Sequence, residues 1–380
     1  MHSAPFRSNL FSLRMLAPAI LVLTGAANVC LRLLPPDFLA FRGWEAVTIF
    51  VTGIGPFAVN KRYYNPASTG DLAAMANLPK QRHPRPESFS TGPTGFRAYD
   101  AARNGSPSGL LLGDSFGAGA AVNDRAYLGA RLSEMLAGPV FFAGYFGETS
   151  IDTLAALPYT PLVIVQLSER TTEDTSTALE RLLKKVLPRR SSLYLDLRYL
   201  RDLIAYSPLE IWAGRAFKLL QNDVILPNPY SGNVSKYRLR SGAEMLFLPN
   251  EVQHAFTPPG INTEEIIHLK NFLSARRTCL SVILVPNKFT VYYDLLADAP
   301  PGAFQGTTYL NALENSLQTA SIPTLNLLAA FRTEAASAIK KNQYLYHLDD
   351  THWNDEALAI AAREIRLWLP AACPSITMAR

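Results

Sequence analysis

The chain has 380 residues, of which 48% are hydrophobic, and this is enough to build a large buried core. Its 36 basic and 31 acidic residues give a net charge of +5 and are scattered along the sequence. They form no clustered basic stripe with interleaved aromatic residues, as a nucleic-acid groove would require. Composition therefore predicts a globular protein and argues against both intrinsic disorder and a nucleic-acid partner.

The N-terminus has the pattern of an export signal. Arg7 and Arg14 precede an apolar run over residues 15–31, and Arg32 follows it. The run is slightly shorter than the roughly 20 residues that span a bilayer, so a cleaved signal peptide is one alternative. Apolar residues continue beyond Arg32 and favour an uncleaved anchor over residues 1–34. With the arginines inside, we expect the remainder in the periplasm or cell exterior, anchored to the inner membrane.

The next part of the sequence changes from irregular to regular. Residues 35–105 are rich in Pro, Gly, Arg and Asn and are predicted to be a lead-in segment. Strand-length apolar runs and helical patterns then alternate. The predicted elements are a strand at 110–112, a helix at 121–136, strands at 140–142 and 162–166, a helix at 263–276, a strand at 280–285, a helix at 308–319, a strand at 324–326 and a helix at 355–369. This order predicts a three-layer α/β/α sandwich with a mainly parallel sheet.

The alternation stops over residues 188–259, where Tyr, Arg and Trp are mixed among Pro, Asn and Gly. We interpret this stretch as a cap inserted into one catalytic domain, whose two parts are residues 106–187 and 260–372. The aromatic residues of the cap have two possible roles, a platform for sugar rings or ordinary packing. They include Tyr194, Tyr199, Tyr206 and Trp212.

The first motif that carries chemistry directly follows the predicted strand at residues 110–112. It reads Gly113-Asp114-Ser115-Phe116 and is followed by small residues. A serine on a strand-to-helix turn lies at the carboxyl edge of a parallel sheet, where ligands collect. The positive end of the helix and nearby backbone N–H groups can stabilise an oxyanion there. Ser115 is therefore the candidate nucleophile.

The second motif lies directly before the last predicted helix and reads Leu348-Asp349-Asp350-Thr351-His352-Trp353-Asn354. A serine hydroxyl needs a base to remove its proton, and that base needs a carboxylate on its other nitrogen. We predict His352 as the base and either Asp349 or Asp350 as its carboxylate. The alternative is a structural histidine at a helix entry, where Asn354 caps the helix.

Together these motifs resemble those of the SGNH hydrolase superfamily. Asp350-Thr351-His352-Trp353 is also similar to the Asp-Thr-His-Trp motif of the alginate O-acetylation proteins, as are residues 163–170, which end in Glu-Arg, and residues 285–292, which read Val-Pro-Asn-Lys-Phe-Thr-Val-Tyr. The resemblance implies an SGNH or flavodoxin-like fold and a serine O-acetyltransferase or esterase. In the alginate proteins the Asp-His motif precedes the serine, whereas here it follows, as in ordinary SGNH hydrolases. The resemblance is therefore that of a relative of the alginate group and not of a member.

The resemblance also suggests which residues contact the oxyanion or the substrate. Ordinary SGNH enzymes place an Asn after the third strand, but here that region reads Ser168-Glu169-Arg170. The backbone N–H of Ser115 is the first candidate donor, and Gly144 or Gly147, after the second strand, is the next. Arg170 either replaces the missing donor or forms a buried ion pair with Glu169. Lys288, at the end of another strand, either contacts substrate or caps the structure.

The expected function is O-acetylation of an exported polysaccharide through an acyl-serine. The resemblance implies that a separate membrane-bound O-acyltransferase supplies the acyl group and that a sugar hydroxyl accepts it. An esterase that uses water as acceptor is one alternative, and a non-catalytic, anchored glycan-binding or assembly protein is another. No cofactor or metal is expected. The widely spaced Cys30, Cys279 and Cys373 outline neither a zinc site nor a disulfide framework.

Overall fold

The structure is a computed structural model. It describes residues 8–31, 43, 54–76, 78–97, 107–136, 138–147, 150–170, 234–258, 260–302 and 305–379. The four aromatic residues proposed as a sugar platform, and most of the predicted cap, lie outside the described residues.

Strands and helices alternate along much of the described chain. The strands are β1 (Arg62–Ser68), β2 (Arg85–Ser90), β3 (Gly109–Gly113), β4 (Val140–Tyr145), β5 (Leu162–Ser168), β6 (Ser235–Arg238), β7 (Glu244–Phe247), β8 (Cys279–Val285) and β9 (Thr324–Asn326). The helices are α1 (Ser8–Leu31), α2 (Asp71–Met75), α3 (Ser115–Ala118), α4 (Leu128–Met135), α5 (Ser150–Ala156), α6 (Pro249–Phe256), α7 (Glu264–Ala275), α8 (Lys288–Tyr292), α9 (Gln305–Thr319), α10 (Leu328–Ala338) and α11 (Asp355–Ala372). Short 3₁₀ turns complete the described elements.

Five parallel strands form the central sheet, in the order β4-β3-β5-β8-β9. This confirms the predicted α/β class with a parallel sheet. Every residue of β3 and β5 is buried, as continuous apolar runs predict for strands in the interior of a parallel sheet. The domain boundaries drawn from the sequence are not tested by this arrangement and stay predictions.

The order of the strands predicts a ligand crevice at the carboxyl end of the sheet. From β3 the chain continues to β4, which lies on one side of β3 in the sheet. From β5, on the other side of β3, it continues away from β3 to β8. Right-handed crossovers therefore place α4 on one face and α5 and α7 on the opposite face. The packing agrees, because α4 contacts α11 and α5 contacts α7. Such a reversal opens a ligand crevice at the carboxyl ends of β3 and β5.

The helix predicted at residues 121–136 is shorter than expected and begins only at Leu128. Ala121 has a φ of 62°, outside the helical region, and the buried guanidinium of Arg97 donates hydrogen bonds to the carbonyls of Ala118, Gly119 and Val122. An irregular turn held by Arg97 therefore occupies the first part of the predicted helix. The sequence pattern could not reveal a competing donor more than 20 residues upstream.

Two antiparallel hairpins flank the sheet, and neither was predicted. In one β1 pairs with β2, and in the other β6 pairs with β7. Helix α2, which lies between β1 and β2, packs against β7. Through this contact the predicted lead-in segment reaches the part of the molecule that carries the Asp-His motif.

The N-terminal helix α1 contains 24 residues and includes Pro18. Among the residues that the structure describes, none of the helices meets both the length and the apolarity needed to cross a membrane. The anchor over residues 1–34 stays a prediction.

A disulfide joins Cys279 to Cys373, whose Cα atoms are 6.0 Å apart. The expectation that the cysteines outline no disulfide was therefore wrong. The two residues are 94 positions apart, so their spacing gave no signal, and only the packing of the chain brings them together. Cys279 begins β8 and Cys373 follows α11, so the bond ties the C-terminal helix to the centre of the sheet.

We expect the substitution Cys279→Ser to lower the free energy of unfolding by about 2–4 kcal/mol, because the bridge restricts the unfolded chain. Urea denaturation of the oxidised protein measures this loss. Cys30→Ser is the matched control, since Cys30 is a free, exposed thiol, and its midpoint should equal that of the wild type. Equal midpoints for the Cys279→Ser variant and the wild type would contradict the stabilising role.

Candidate active site

Ser115 occupies the first position of α3, separated from the end of β3 by one residue, and is partly exposed. The preceding Asp114 caps this helix, because its Oδ1 accepts a hydrogen bond of 2.9 Å from the N–H of Phe116. Its Oδ2 accepts the hydroxyl of Ser168, at the end of β5, at 2.6 Å. The first N–H groups of a helix have no acceptor within it, so the N–H of Ser115 remains an oxyanion donor candidate.

A buried glutamine supports this turn from the neighbouring strand. The Oε1 of Gln166 accepts the N–H groups of Asp114 at 3.2 Å and Gly117 at 3.0 Å. A Cβ at Gly113 would collide with the same oxygen, so the close approach of the strands requires glycine there. We did not predict this role for Gln166. Its one signal was a polar residue inside an otherwise apolar strand.

His352 links the serine to a carboxylate. Its Nε2 lies 2.8 Å from the Oγ of Ser115, and its Nδ1 lies 2.7 Å from Oδ1 of Asp350. The backbone N–H of His352 also donates to this Oδ1, at 2.9 Å. With the Nδ1 proton directed at the carboxylate, Nε2 is left to accept the proton of the serine hydroxyl. The two motifs, 237 residues apart in sequence, therefore meet in the geometry that activates a serine.

Aromatic packing fixes the orientation of the imidazole ring. Its centroid is 5.0 Å from that of Phe116, which in turn makes an edge contact with Trp353 at 5.5 Å. Asn354 caps α11, since its Oδ1 accepts the N–H groups of Glu356 and Ala357. Asn354 therefore caps the helix, as the structural alternative for this motif predicted, and the contact between His352 and Ser115 is present as well.

The structure separates the two adjacent aspartates. Asp350 contacts the histidine, whereas Asp349 binds the lead-in segment. Its Oδ2 accepts the N–H groups of Gly70 at 2.8 Å and His83 at 2.9 Å. Asp350 is therefore the carboxylate of the histidine, and Asp349 has a structural role.

One arginine of β2 bridges both aspartates. Nη1 of Arg85 lies 2.8 Å from Oδ1 of Asp349, and Nη2 lies 3.0 Å from Oδ2 of Asp350. Burial alone would raise the pKa of Asp350, but the interactions with His352 and Arg85 outweigh it and hold that pKa well below its usual range. The carboxylate therefore stays ionised beside the imidazole.

The lead-in residues of the site were missed by sequence reasoning. Gly70, Asp71 and Arg85 lie more than 260 residues before the aspartates that they contact, in a segment with no recognisable motif. Gly70 is required by close approach, since a Cβ there would collide with the backbone carbonyl of Asp349. No sequence signal identifies such a contact in advance.

Asp71 adds a second carboxylate near the histidine. Its Oδ2 lies 3.8 Å from Nδ1 of His352. Atoms of Asp71, Asp350 and His352 lie within 4.8 Å of one another, a grouping that could in principle hold a metal ion. The short hydrogen bond of 2.7 Å between Nδ1 and Asp350 is instead the arrangement that activates a serine.

Lys288 is fully buried and binds backbone carbonyls. Its Nζ donates to the carbonyl oxygens of Leu246 and His347, both at 2.6 Å, and of Asp350 at 3.0 Å. The sequence left two roles open for Lys288, contact with substrate or a structural cap. Its contacts with backbone carbonyls are those of a structural cap. Burial lowers the pKa of Lys288 to about 8, although the neighbouring carboxylates offset part of this effect. The ammonium fixes the backbone that carries Asp350.

Arg170 forms a different ion pair from the one that the sequence suggested. Its Nη1 lies 3.1 Å from Oε1 of Glu251 in α6, and its guanidinium lies 5.0 Å from the ring centroid of Phe116. The suggested pair with Glu169 is contradicted by this geometry. Arg170 therefore lies over the residue that follows Ser115, at the carboxyl end of β5.

Glu169 binds neutral groups instead. Its carboxylate accepts the N–H of Asn287 and the hydroxyl of Thr290, each at 2.8 Å. Burial raises the pKa of Glu169 to about 7, and these two hydrogen bonds offset only part of the increase. The side chain joins the end of β5 to the start of α8.

Of the two glycines proposed as oxyanion donors, Gly144 lies inside β4 and Gly147 follows it. Gly144 has φ 142° and pairs with Leu112 of β3, whereas Gly147 has φ 158°. The N–H of Gly147 donates to Oγ of Ser150 at 2.9 Å, so it already has an acceptor. The roles of Ser115, Gly144 and Arg170 as oxyanion donors stay predictions.

The raised pKa of Glu169 predicts a pH-dependent stability. Between pH 4.5 and about 7 the folded state keeps a proton that the unfolded state has lost, so stability should fall as the pH rises through this range. The contribution is roughly 3 kcal/mol. Urea denaturation at several pH values should show this decline in the wild type relative to Glu169→Gln, which cannot titrate. Parallel pH profiles for the two proteins would contradict the prediction.

Comparison with known proteins finds a family match for the C-terminal part of the chain. Residues 246–377 match the family described as "SGNH hydrolase-like domain, acetyltransferase AlgX", a range that includes Lys288, Asp350 and His352. No curated protein matches the chain. A solved structure matches with 12% sequence identity and a TM-score of 0.33, covering 70% of this chain and 98% of that chain, and a likeness this low carries no argument. The chain resembles the SGNH hydrolase superfamily and, within it, the AlgX acetyltransferase domain.

Proposed function

We propose that this protein is a serine O-acyltransferase that acetylates an exported polysaccharide. The observation that carries the proposal is the continuous contact from Asp350 through His352 to Ser115, with distances of 2.7 and 2.8 Å. The position of the serine at the carboxyl ends of β3 and β5, where ligands of parallel sheets collect, supports the proposal. The match to a family described as an acetyltransferase domain supports acyl transfer as the reaction class.

The first half of the reaction loads the serine. The Oγ of Ser115 attacks the carbonyl carbon of the acyl donor while Nε2 of His352 takes its proton, and Asp350 stabilises the imidazolium that forms. The tetrahedral oxyanion is stabilised by backbone donors such as the N–H of Ser115. When the intermediate collapses, the bond to the donor breaks and His352 protonates the leaving oxygen. The product of this half is an ester on Ser115.

The second half transfers the acyl group to a sugar. A hydroxyl of the acceptor gives its proton to Nε2 of His352 and attacks the ester carbonyl, and Ser115 leaves with the proton returned by the histidine. If water takes the place of the sugar, the same residues give an esterase. The two activities therefore share one site and differ in how well water is excluded and the sugar is held.

We place this reaction in the periplasm or outside the cell, with residues 1–34 anchoring the protein and a separate membrane-bound O-acyltransferase supplying acyl groups. The disulfide between Cys279 and Cys373 supports this location, because structural disulfides persist in oxidising compartments. The basic residues before the apolar run support the same orientation.

In cells, the full-length protein is expected in the membrane fraction. Protease added to spheroplasts should digest it, because the catalytic domain would face the outside. A cytoplasmic enzyme measured in the same sample controls for lysis. Full protection of the domain in intact spheroplasts would reject the proposed location.

The catalytic proposal is tested by acetyl release from p-nitrophenyl acetate, with and without an oligosaccharide acceptor. Ser115→Ala and His352→Ala should abolish release, and Asp350→Asn should reduce it by roughly 10⁴-fold, because the histidine loses its orienting carboxylate. Asp349→Asn is the matched control for the adjacent aspartate and should retain far more activity than Asp350→Asn.

The outcomes of this assay discriminate between the functions. Transfer to the oligosaccharide that outpaces hydrolysis selects the acyltransferase, and hydrolysis alone selects the esterase. If release does not depend on Ser115 in folded protein, both enzymatic functions fail, and the non-catalytic glycan-binding protein takes their place.

A further inference from the structure

One carboxylate beside the histidine has no part in the reaction as described above. Asp71 begins α2 in the lead-in segment and is only 3% exposed. Its Oδ2 lies 3.8 Å from Nδ1 of His352, the nitrogen that Asp350 contacts at 2.7 Å. Two buried carboxylates therefore face the same edge of the imidazole.

Hydrogen bonds fix the position of Asp71 relative to the Asp-His motif. Its Oδ1 accepts the backbone N–H of Thr351 at 2.8 Å and the hydroxyl of Thr351 at 3.1 Å. In the opposite direction, the backbone N–H of Asp71 donates to Oδ2 of Asp350 at 3.0 Å. Because each segment binds the other, Asp71 orients the carboxylate that orients the histidine.

The balance of charge gives Asp71 a second effect. Arg85 binds the oxygen of Asp350 that faces away from His352 and offsets part of its negative charge. The carboxylate of Asp71 restores negative potential on the imidazole, where positive charge develops as Ser115 attacks. An opposite charge within 4–6 Å stabilises a charged group substantially when both are buried. Among the described residues, the charges of Glu87, Glu251, Lys288 and His347 also act on this cluster, and Asp349 shares Arg85 with Asp350.

We propose that Asp71 is a positioning residue of the active site, which holds Asp350 in place and stabilises the imidazolium of His352 in the transition state. The inference rests on the proposed function of the serine. Asp71 lies outside residues 246–377, the part of the chain that matches the family, so the lead-in segment completes the site.

The test compares Asp71→Asn with Asp355→Asn in the full-length protein. Asp355 is exposed and lies three residues after the histidine, so its substitution removes the same charge without removing a contact to the imidazole. Hydrolysis of p-nitrophenyl acetate is measured from pH 4.5 to 9. Rates are normalised to the fraction of molecules that a fluorophosphonate labels at Ser115.

For Asp71→Asn we expect kcat to fall roughly tenfold or more while KM changes little, because the lost charge acts on the imidazolium and not on substrate binding. The acid limb of the kcat/KM profile should move to lower pH by about one unit, since the imidazole binds its proton less tightly without that charge. Asp355→Asn should match the wild type in both respects. A merely structural Asp71 would lower the yield of folded protein without moving the acid limb.

Wild-type kcat and an unmoved acid limb in Asp71→Asn would overturn the proposal. If the wild type itself releases no acetyl group in a Ser115-dependent manner, the proposed function fails instead, so the two failures are distinguishable. If Asp71→Asn does not fold, Asp71→Glu and Thr351→Val replace it. Both keep the carboxylate charge, so the acid limb should stay near that of the wild type while kcat falls, and an unchanged kcat in both would reject the positioning role.

Discussion

The site depends on a single bridging arginine. Asp349 and Asp350 are adjacent in sequence and both buried, and two neighbouring carboxylates would repel each other without compensation. Arg85 binds one oxygen of each, and the ammonium of Lys288 lies under the same backbone. This compensation keeps Asp350 ionised beside His352, so the proposed activation of the serine depends on a cation from a hairpin far away in sequence.

The central fold was predictable because its signals are local. Apolar runs predicted four strands of the parallel sheet, the alternation with helices predicted the short fifth strand, and the Gly-Asp-Ser turn predicted that Ser115 lies at the carboxyl end of the sheet. The Asp-His motif was equally visible, because its residues are close in sequence and precede a helix. Periodicity and motif spacing describe such neighbours well.

The remaining contacts were unpredictable because they join distant segments. Which aspartate binds His352 depends on where Arg85 and Gly70 lie, more than 260 residues earlier. In a second case, Arg170 forms its ion pair with Glu251 and not with the adjacent Glu169. The disulfide is a third case, since only the packing of α11 brings Cys373 to β8. In each case the side chain could reach several partners, and the tertiary structure selects one.

The order of the proposed catalytic residues along the chain also has a physical explanation. The serine follows β3 and the histidine precedes α11, whereas the sequence resemblance implies the opposite order in the alginate proteins. Parallel strands present all their carboxyl ends at one edge, so a residue reaches the crevice from any strand that ends there. What the chemistry requires is the geometry of carboxylate, imidazole and hydroxyl, which unrelated chains assemble in different orders. The same holds for the hairpin of β1 and β2. Its Arg85 binds Asp349 and Asp350 because the fold brings them together, although they are far apart in sequence.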